Sequence, residues 1–468
     1  MWPPVKSSGM TRADAPVTPP VVLTVAGSDS GGGAGIQADI KTIEACGGFG
    51  TSAITSVTAQ NTTGVQGQHL LPIDQIEAQI EAVTGDFDVA AVKTGMLATS
   101  DVIDLVVEHA ADLPNLVVDP VMVAASGDRL LAAEAEDAYE ALIAEAAVVT
   151  PNADEAAVLT GRDVDNPETA ERAGRDLVEM GADSALVKGG HVPGDAVVDT
   201  LVTEDGVTTF RHDRIDTEAT HGSGCTLSSA IATQLAHGDD LPTAVGDSID
   251  LLASAVRYNL DVGEGPGAVH HLVQTRNDAA RHPTSEAVER AVSALVEADV
   301  STLVPERGMT VAGATPYAET PDAVAAVEGR IARTMDGVRP NRGVRPNRGV
   351  RFGASTTVAR ALLAAREHDP AIRFAVDCRL TDAVEDALAS LDGRVAAYDP
   401  GERPDGVSDD ATAQWGVDRA FGTSDGTPVA VVGREGVGTD GRAMLLAADA
   451  DDLVSQVETV HETVRDDG

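Results

Sequence analysis

Val21-Val22-Leu23-Thr24-Val25-Ala26 is an unbroken apolar run that stops at Gly27-Ser28-Asp29-Ser30-Gly31-Gly32-Gly33-Ala34-Gly35. A short aliphatic and β-branched run without polar alternation is what a strand covered on both faces requires. Helical spacing over residues 36–46 completes a strand, a Gly-rich turn and a helix. The same rhythm recurs downstream. Strand-like runs stand at 52–59, 89–93, 116–119, 148–150 and 185–188, with helical patterns at 73–83, 101–110, 132–144 and 169–180. Strands alternating with helices at this spacing form βαβ units with right-handed crossovers, hence an α/β domain of three layers on a mainly parallel sheet. Residues 197–203 and 207–211, joined by Glu204-Asp205-Gly206, read as an edge hairpin.

In such a sheet ligands lie beyond the carboxyl ends of the strands. The distinctive residues fall there: Gly27 to Gly35, Thr58-Ala59-Gln60-Asn61, Lys93-Thr94-Gly95-Met96, Asp119-Pro120-Val121-Met122, Thr150-Pro151-Asn152-Ala153-Asp154-Glu155 and Lys188-Gly189-Gly190-His191. Thr220-His221-Gly222-Ser223-Gly224-Cys225 then opens a helix through residue 235. A Gly-rich turn at a helix start offers unpaired N–H groups at the positive end of the helix dipole, which suits charge building on a transferred phosphoryl group. Cys225 in that first turn is expected to have a lowered thiol pKa. Asn152 and Glu155 are either a helix-capping pair or hard oxygen ligands for Mg²⁺. Lys188 is placed to neutralise phosphate oxygens. No G-x-x-x-x-G-K-[ST] loop occurs, so a kinase of this kind stands outside the P-loop class.

The 468 residues suggest more than one domain, and a formal charge of −42 from 33 basic and 75 acidic residues argues against nucleic acid or an anionic membrane as partner. Only Lys6, Lys41, Lys93 and Lys188 are lysines, and three of these lie in or beside the loops above. An acidic, lysine-poor composition resembles proteins of halophilic archaea, whose surface charge molar salt screens within about 3 Å. Cys46, Cys225 and Cys378 are an odd, widely spaced set that fits a reducing cytoplasm. No apolar run approaches the roughly 20 residues that span a bilayer. Residues 1–20 read as a disordered leader, with Met10 an alternative start.

The run from Val25 through Gly27-Ser28-Asp29-Ser30-Gly31-Gly32-Gly33-Ala34-Gly35-Ile36-Gln37-Ala38-Asp39 to Thr42 closely resembles hydroxymethylpyrimidine/phosphomethylpyrimidine kinases, of the ribokinase fold. The other loop motifs match in order, over residues 21–272. The resemblance implies two successive ATP-dependent phosphorylations, with Mg²⁺, of 4-amino-5-hydroxymethyl-2-methylpyrimidine and its monophosphate in thiamine biosynthesis, by a homodimer. It implies that Gln60 binds the aminopyrimidine, that Gly27, Asp39 and Met96 line its pocket, and that Cys225 is the base. Gly222 and Gly224 serve the phosphoryl group, Lys188 the nucleotide, and Asn152 and Glu155 the magnesium. Gln60-Asn61, and Cys225 in place of an aspartate, speak against a sugar kinase; a pyridoxal kinase remains the alternative.

Residues 273–283 read as a polar linker and 284–468 as a second, smaller α/β domain, with helices at 285–296, 354–366, 383–391 and 452–464 and strands at 372–376, 395–398, 429–432 and 443–447. Val338-Arg339-Pro340-Asn341-Arg342-Gly343 is repeated at once over 344–349, as in a duplicated exposed loop or an arginine-rich phosphate site. Gly329-Arg330-Ile331, Phe352-Gly353-Ala354-Ser355, Ala359-Arg360, Gln414-Trp415-Gly416 and residues 433–438 resemble the thiamine-phosphate synthase domain that archaea fuse behind this kinase. That resemblance makes Arg330 and Ser355 phosphate ligands. The chain departs from it at Thr357, where active members carry histidine, at Asp377 in place of asparagine, and at Thr439 in place of lysine. Loss of an imidazole removes the cation or proton donor for a leaving pyrophosphate. Two readings follow: a module that binds a thiamine-pathway phosphate with little or no synthesis, or an active synthase.

Overall fold

The computed structural model describes residues 16–122, 138–335, 342–346, 348–408, 411–434 and 441–466. Most of the leader, residues 132–137 of an expected helix, part of the repeated hexamer and 435–440 with Thr439 lie outside the described residues. The chain divides into two units, Met1–Val273 and Gln274–Gly468.

Unit 1 starts with β1 (Val21–Ala26), α1 (Gly35–Ala45) and β2 (Phe49–Ile54). β3 (Ser56–Asn61), β4 (Gly64–Leu70), α2 (Ile73–Thr84), β5 (Val89–Thr94) and α3 (Ser100–His109) follow. Next come β6 (Leu116–Val118), α4 (Tyr139–Ile143), β7 (Val148–Val149), α5 (Ala153–Thr160) and α6 (Pro167–Glu179). β8 (Ser184–Val187), β9 (Ala196–Thr203), β10 (Gly206–Asp213), α7 (Ser223–His237) and α8 (Leu241–Arg257) complete it. The main sheet has the order β10-β9-β8-β7-β6-β5-β1-β2. It is parallel from β2 through β8, and the β9–β10 hairpin closes one edge antiparallel.

β1 shows why the opening run is continuously apolar. Val22 packs with Ile43, Leu227 and Ile249 on one face, while Leu23 packs with Ile76, Ile80 and Val106 on the other. Each such side chain, fully buried, contributes about 1.5–3 kcal/mol. The strand expected at 52–59 is two strands. The chain leaves the sheet at Thr55, whose N–H donates to Ala26 O (3.0 Å) and whose hydroxyl donates to Met96 O (2.8 Å). β3 then pairs antiparallel with β4 as a separate ribbon standing over the Gly-rich loop.

In unit 2 the segment expected as a linker is helical: α9 (Val273–Ala279) is followed directly by α10 (Arg281–Glu297). The polar residues there are the outer face of helices whose Thr284, Ala287 and Val288 are buried. β11 (Val311–Ala314), β12 (Val324–Val327), β13 (Ile331–Met335), β14 (Arg342–Pro346), β15 (Val350–Phe352) and α11 (Thr356–His368) follow. Then come β16 (Phe374–Leu380), α12 (Asp382–Leu388), β17 (Arg394–Tyr398), α13 (Thr412–Gly422), β18 (Pro428–Gly433), β19 (Gly441–Ala447) and α14 (Ala450–Asp466). The sheet, β15-β12-β11-β16-β19-β18-β17, is antiparallel except between β17 and β18. Residues of α10, α12 and α14 pack on one face and those of α11 and α13 on the other. Part of the repeated hexamer forms β14, paired with β13, so the duplication extends a hairpin and not only a loop.

Candidate active site

A cavity of about 700 Å³ opens at the carboxyl ends of the unit 1 strands. Gly27, Gln60 and Met96 line one part of it, and Asn152, Glu155, Lys188, Gly222, Gly224 and Cys225 also line it. The sequence motifs therefore converge on one space. A Cβ at Gly27 would collide with the Met96 methyl and stand 2.8 Å from Ser56 Oγ, so a larger residue there would have to displace the Met96 side chain. The Gln60 backbone is fixed by Ser30, whose hydroxyl donates to Gln60 O (2.6 Å) and accepts from Gln60 N–H (2.8 Å).

Asp39 is not in the pocket. Its carboxylate is fully buried beneath α7, where it accepts from Lys93 Nζ (2.9 and 3.0 Å), Thr24 Oγ1 (2.6 Å) and Ser229 Oγ (2.9 Å). All of its lone pairs face donors, so none is left for a pyrimidine. Lys93, also fully buried, does line the cavity. Burial works against its charge, but Asp39, Cys225 and Asp119 outweigh it and hold the ammonium pKa above its ordinary value.

α7 starts at the Gly-Ser-Gly turn. Gly222 is left-handed (φ 85°), and a Cβ there would strike the Gly33 carbonyl oxygen. The Ser223 N–H turns back to Thr220 O (3.0 Å), leaving the Gly224 and Cys225 amides as the open donors of the first turn. The Cys225 thiol departs from expectation. Loss of water around it pushes its pKa up to about 11; Lys93 opposes that, and Asp39 and Asp119 add to it. The helix start is outweighed by desolvation and by two carboxylates.

Asn152 and Glu155 form a complete capping box on α5: Glu155 N–H donates to Asn152 Oδ1 (2.9 Å) and Asn152 N–H to Glu155 Oε2 (2.8 Å). The same carboxylate lies 3.9 Å from Lys188 Nζ, which donates to Asp119 Oδ1 at 3.1 Å. Capping and site geometry thus coexist. Burial and Asp119 raise the Glu155 pKa against Lys188, to about 7. For Lys188, burial is outweighed by Asp119 and Glu155, and its pKa rises. Its Nζ stands 3.3 Å from where a Cβ on Gly224 would be, beside the open amides. In the sequence Asp119 stands out only as part of the Asp119-Pro120-Val121-Met122 motif. Its signal was the Asp directly ending a buried apolar strand, and the structure puts it at the centre of this cluster.

No group of three His, Cys, Asp or Glu close enough to hold a metal occurs among the described residues. The cluster still fits a cation, because Asp119 and Glu155 face a single ammonium. Mg²⁺ needs only one or two carboxylates when substrate phosphates and waters supply its other ligands. The lining also includes Val158, Val197, Ile215, Leu252 and Val256, together with the polar Asp199, His212 and Arg214. Arg214 donates to Gly190 O (2.8 Å), Val192 O (2.6 Å) and Gly194 O (2.8 Å).

In unit 2, Arg330 is left-handed (φ 69°) and its Nη1 donates to Arg307 O (3.4 Å). Asp377, buried, accepts the Thr310 N–H at 2.5 Å; burial raises its pKa against that bond and against Arg307 and Arg330. Ser355 is the N-cap of α11 without a side-chain hydrogen bond, and Thr357 lies in the first turn. Trp415 meets Tyr398 edge to face at 5.9 Å, and the Tyr398 ring fills the space beside Gly416 and Gly433. Packing thereby accounts for Trp415 and Gly416 of the Gln-Trp-Gly motif, while Gln414 is exposed.

Two family models match the chain: phosphomethylpyrimidine kinase over residues 29–270 and thiamine-phosphate synthase ThiN over 287–459. The hydroxymethylpyrimidine/phosphomethylpyrimidine kinase of Streptomyces coelicolor is 48% identical over 265 residues, 56% of this chain and 98% of that protein. The Haemophilus influenzae kinase of the same name is 43% identical over 262 residues, 54% of this chain and 97% of its own length. Among solved structures, an ADP complex of Bacillus subtilis pyridoxal kinase has a TM-score of 0.51 at 31% identity, covering 55% of this chain and 99% of that one. The ADP complex of Staphylococcus aureus pyridoxal kinase has a TM-score of 0.53 at 31% identity, covering 56% and 96%. Both are ribokinase-like, as the parallel sheet of unit 1 is.

Proposed function

The chain belongs to the phosphomethylpyrimidine kinase family, and from that premise we propose that unit 1 phosphorylates 4-amino-5-hydroxymethyl-2-methylpyrimidine and then its monophosphate at the expense of ATP. The observation that carries this is the single cavity lined by Gln60, Gly27 and Met96 and also by Lys188, Glu155 and the Gly224–Cys225 turn. The pyrimidine is oriented by Gln60 against Met96, with its hydroxymethyl group toward Cys225. The Gly224 and Cys225 amides and the Lys188 ammonium neutralise charge on the transferred phosphoryl group. Cys225 takes the hydroxyl proton, and the Lys93 ammonium stabilises the thiolate that accepts it. Asn152 and Glu155, beside Asp119, would hold Mg²⁺ directly or through water, and the ion would supply charge neutralisation for the nucleotide phosphates. The part of the cavity lined by Val158, Val197, Ile215, Leu252 and Val256 receives the adenine. The protein acts as a cytoplasmic homodimer in molar salt.

Unit 2 binds a phosphate ligand of the same pathway at Arg330 and Ser355, with little synthesis because Thr357 offers no imidazole. Purified protein in molar KCl with the pyrimidine, ATP, Mg²⁺ and thiazole phosphate tests both parts. Pyrimidine mono- and diphosphate without thiamine phosphate is the expected result. Thiamine phosphate would make unit 2 an active synthase, and an unphosphorylated pyrimidine would sink the kinase reading. Pyridoxal as a competing acceptor measures the side activity suggested by the pyridoxal kinase fold relatives.

A further inference from the structure

Asp29 makes no hydrogen bond to the Gly222–Cys225 turn, yet through His221 it ties that turn to the Gly-rich loop. Only 2% exposed, its Oδ1 accepts from Gly31 N–H (2.8 Å) and its Oδ2 from Gly33 (2.9 Å) and Ala34 (2.8 Å). The same Oδ2 lies 3.2 Å from His221 Nε2, a residue 192 positions along the chain. His221 stands four residues before Cys225 and next to Gly222. Its ring covers Gly33, where a Cβ would stand 2.6 Å from His221 Cδ2, and its carbonyl accepts from Val269 N–H (3.3 Å). Gly222 in turn closes on the Gly33 carbonyl. One carboxylate therefore fixes both the loop under the pyrimidine and the loop that sets the open amides of α7.

We propose that His221 and Asp29 are positioning residues that hold the Gly224–Cys225 donors in register with the acceptor hydroxyl by locking the His221 loop onto the Gly-rich loop. This rests on the kinase reading above. His221 takes no proton from substrate; it donates Nε2–H to Asp29, whose pKa is held low by His221 and by the Ala34 and Gly31 amides against the raising effect of burial. Losing the joint leaves both ligand pockets present but moves the amides. A misplacement of about 1 Å in a reacting constellation costs about 100-fold in rate.

The test compares wild type, His221→Leu and His221→Gln, the last of which can still donate from its Nε2 to Asp29. His221→Leu is expected to lose about 100-fold in kcat with the KM for pyrimidine and for ATP within about threefold, and His221→Gln to recover at least about tenfold of that loss. A raised pyrimidine KM with kcat preserved would reduce His221 to a wall of the pocket. Equal loss in both variants would make the imidazole itself the working group, and either result overturns the proposal. Hydrogen exchange across residues 220–225 of the apoprotein gives a readout free of turnover: it should accelerate about tenfold in His221→Leu and not in His221→Gln. Unchanged exchange in His221→Leu also overturns the joint. If His221→Leu does not fold, His221→Gln alone decides, by keeping or losing wild-type kcat and exchange. Inactive wild type, with exchange across residues 220–225 still accelerated in His221→Leu and not in His221→Gln, would sink the kinase reading and leave the joint between the two loops standing.

Discussion

Unit 1 buries two lysines against carboxylates, and the two groups are balanced differently. Lys93 and Asp39 are both fully buried, one charge against one, with Thr24 and Ser229 completing the carboxylate's partners. Lys188 faces two carboxylates, Asp119 at 3.1 Å and Glu155 at 3.9 Å, and its side chain keeps 14% exposure at the cavity. The saturated Asp39 carboxylate has nothing left to offer a ligand, and the pair holds α1, β5 and α7 together. A group with a surplus carboxylate and an incompletely covered ammonium suits the cation and phosphate oxygens of the proposed kinase reading. Imbalance, and not burial, separates the site from its support.

The sharpest way to break this contrast is at Cys225, whose sulfur feels Lys93, Asp39 and Asp119 alike. Cys225→Ala should lower kcat by about 10³-fold, in the range of a lost general base, while the melting temperature in molar KCl stays near wild type. Wild-type turnover would remove Cys225 from the mechanism. The pH profile gives the sign. With a thiol pKa of about 11, only the deprotonated fraction accepts a proton, so kcat/KM should climb tenfold per pH unit through the neutral range. A flat profile there would assign the proton elsewhere.

Asp39→Asn comes next and is a stability effect. It leaves the Lys93 charge buried without its counter-ion, which costs about 3–5 kcal/mol by denaturant titration. Pairing it with Lys93→Met should restore most of that loss, because no uncompensated charge then remains. At the other cluster the sign reverses: Glu155→Gln removes a surplus charge and should leave the melting temperature unchanged or higher. Its cost appears in Mg²⁺ dependence, with about tenfold more ion needed at pH 8. In wild type the Glu155 carboxyl, with a pKa of about 7, binds protons in competition with the ion, so apparent Mg²⁺ affinity should fall as pH drops below 7. Glu155→Gln should abolish that acid limb.

How much of this the sequence could tell depends on distance along the chain. β1, the β9–β10 hairpin and most helices of unit 1 were legible because their periodicity is local and their faces are cleanly buried. β4 was not, since Gly64–Leu70 is polar and exposed and has no apolar period. The break at Thr55 carries no glycine or proline, so 52–59 read as one strand. In unit 2, β11 and β12 are Val-Ala-Gly-Ala and Val-Ala-Ala-Val, small residues that signal no strand although each is wholly buried. The site residues were legible as types at strand ends. Their partners were not: Asp39 meets Lys93 across 54 residues, and nothing local tells that its carboxylate points into the core and not the pocket. The Cys225 thiol was misread for the same reason, because the helix start is local and the carboxylates that oppose it are not.

The smallest effect discriminates most finely. Asn152 was open to two readings, helix cap or magnesium ligand, and the capping box is complete. Asn152→Ala should therefore cost about 1 kcal/mol of stability through the lost cap. Its effect on Mg²⁺ should be smaller than that of Glu155→Gln, because the box aims the Glu155 carboxylate and its loss only loosens that aim. Magnesium titrations of the two single variants and of the double variant separate the cases. If Asn152→Ala weakens Mg²⁺ dependence as much as Glu155→Gln and the double variant is additive, the amide oxygen contacts the ion independently. If the double variant is no worse than Glu155→Gln alone, Asn152 acts only through the carboxylate it orients, and the surplus charge beside Lys188 is the whole of the protein's contribution to the cation.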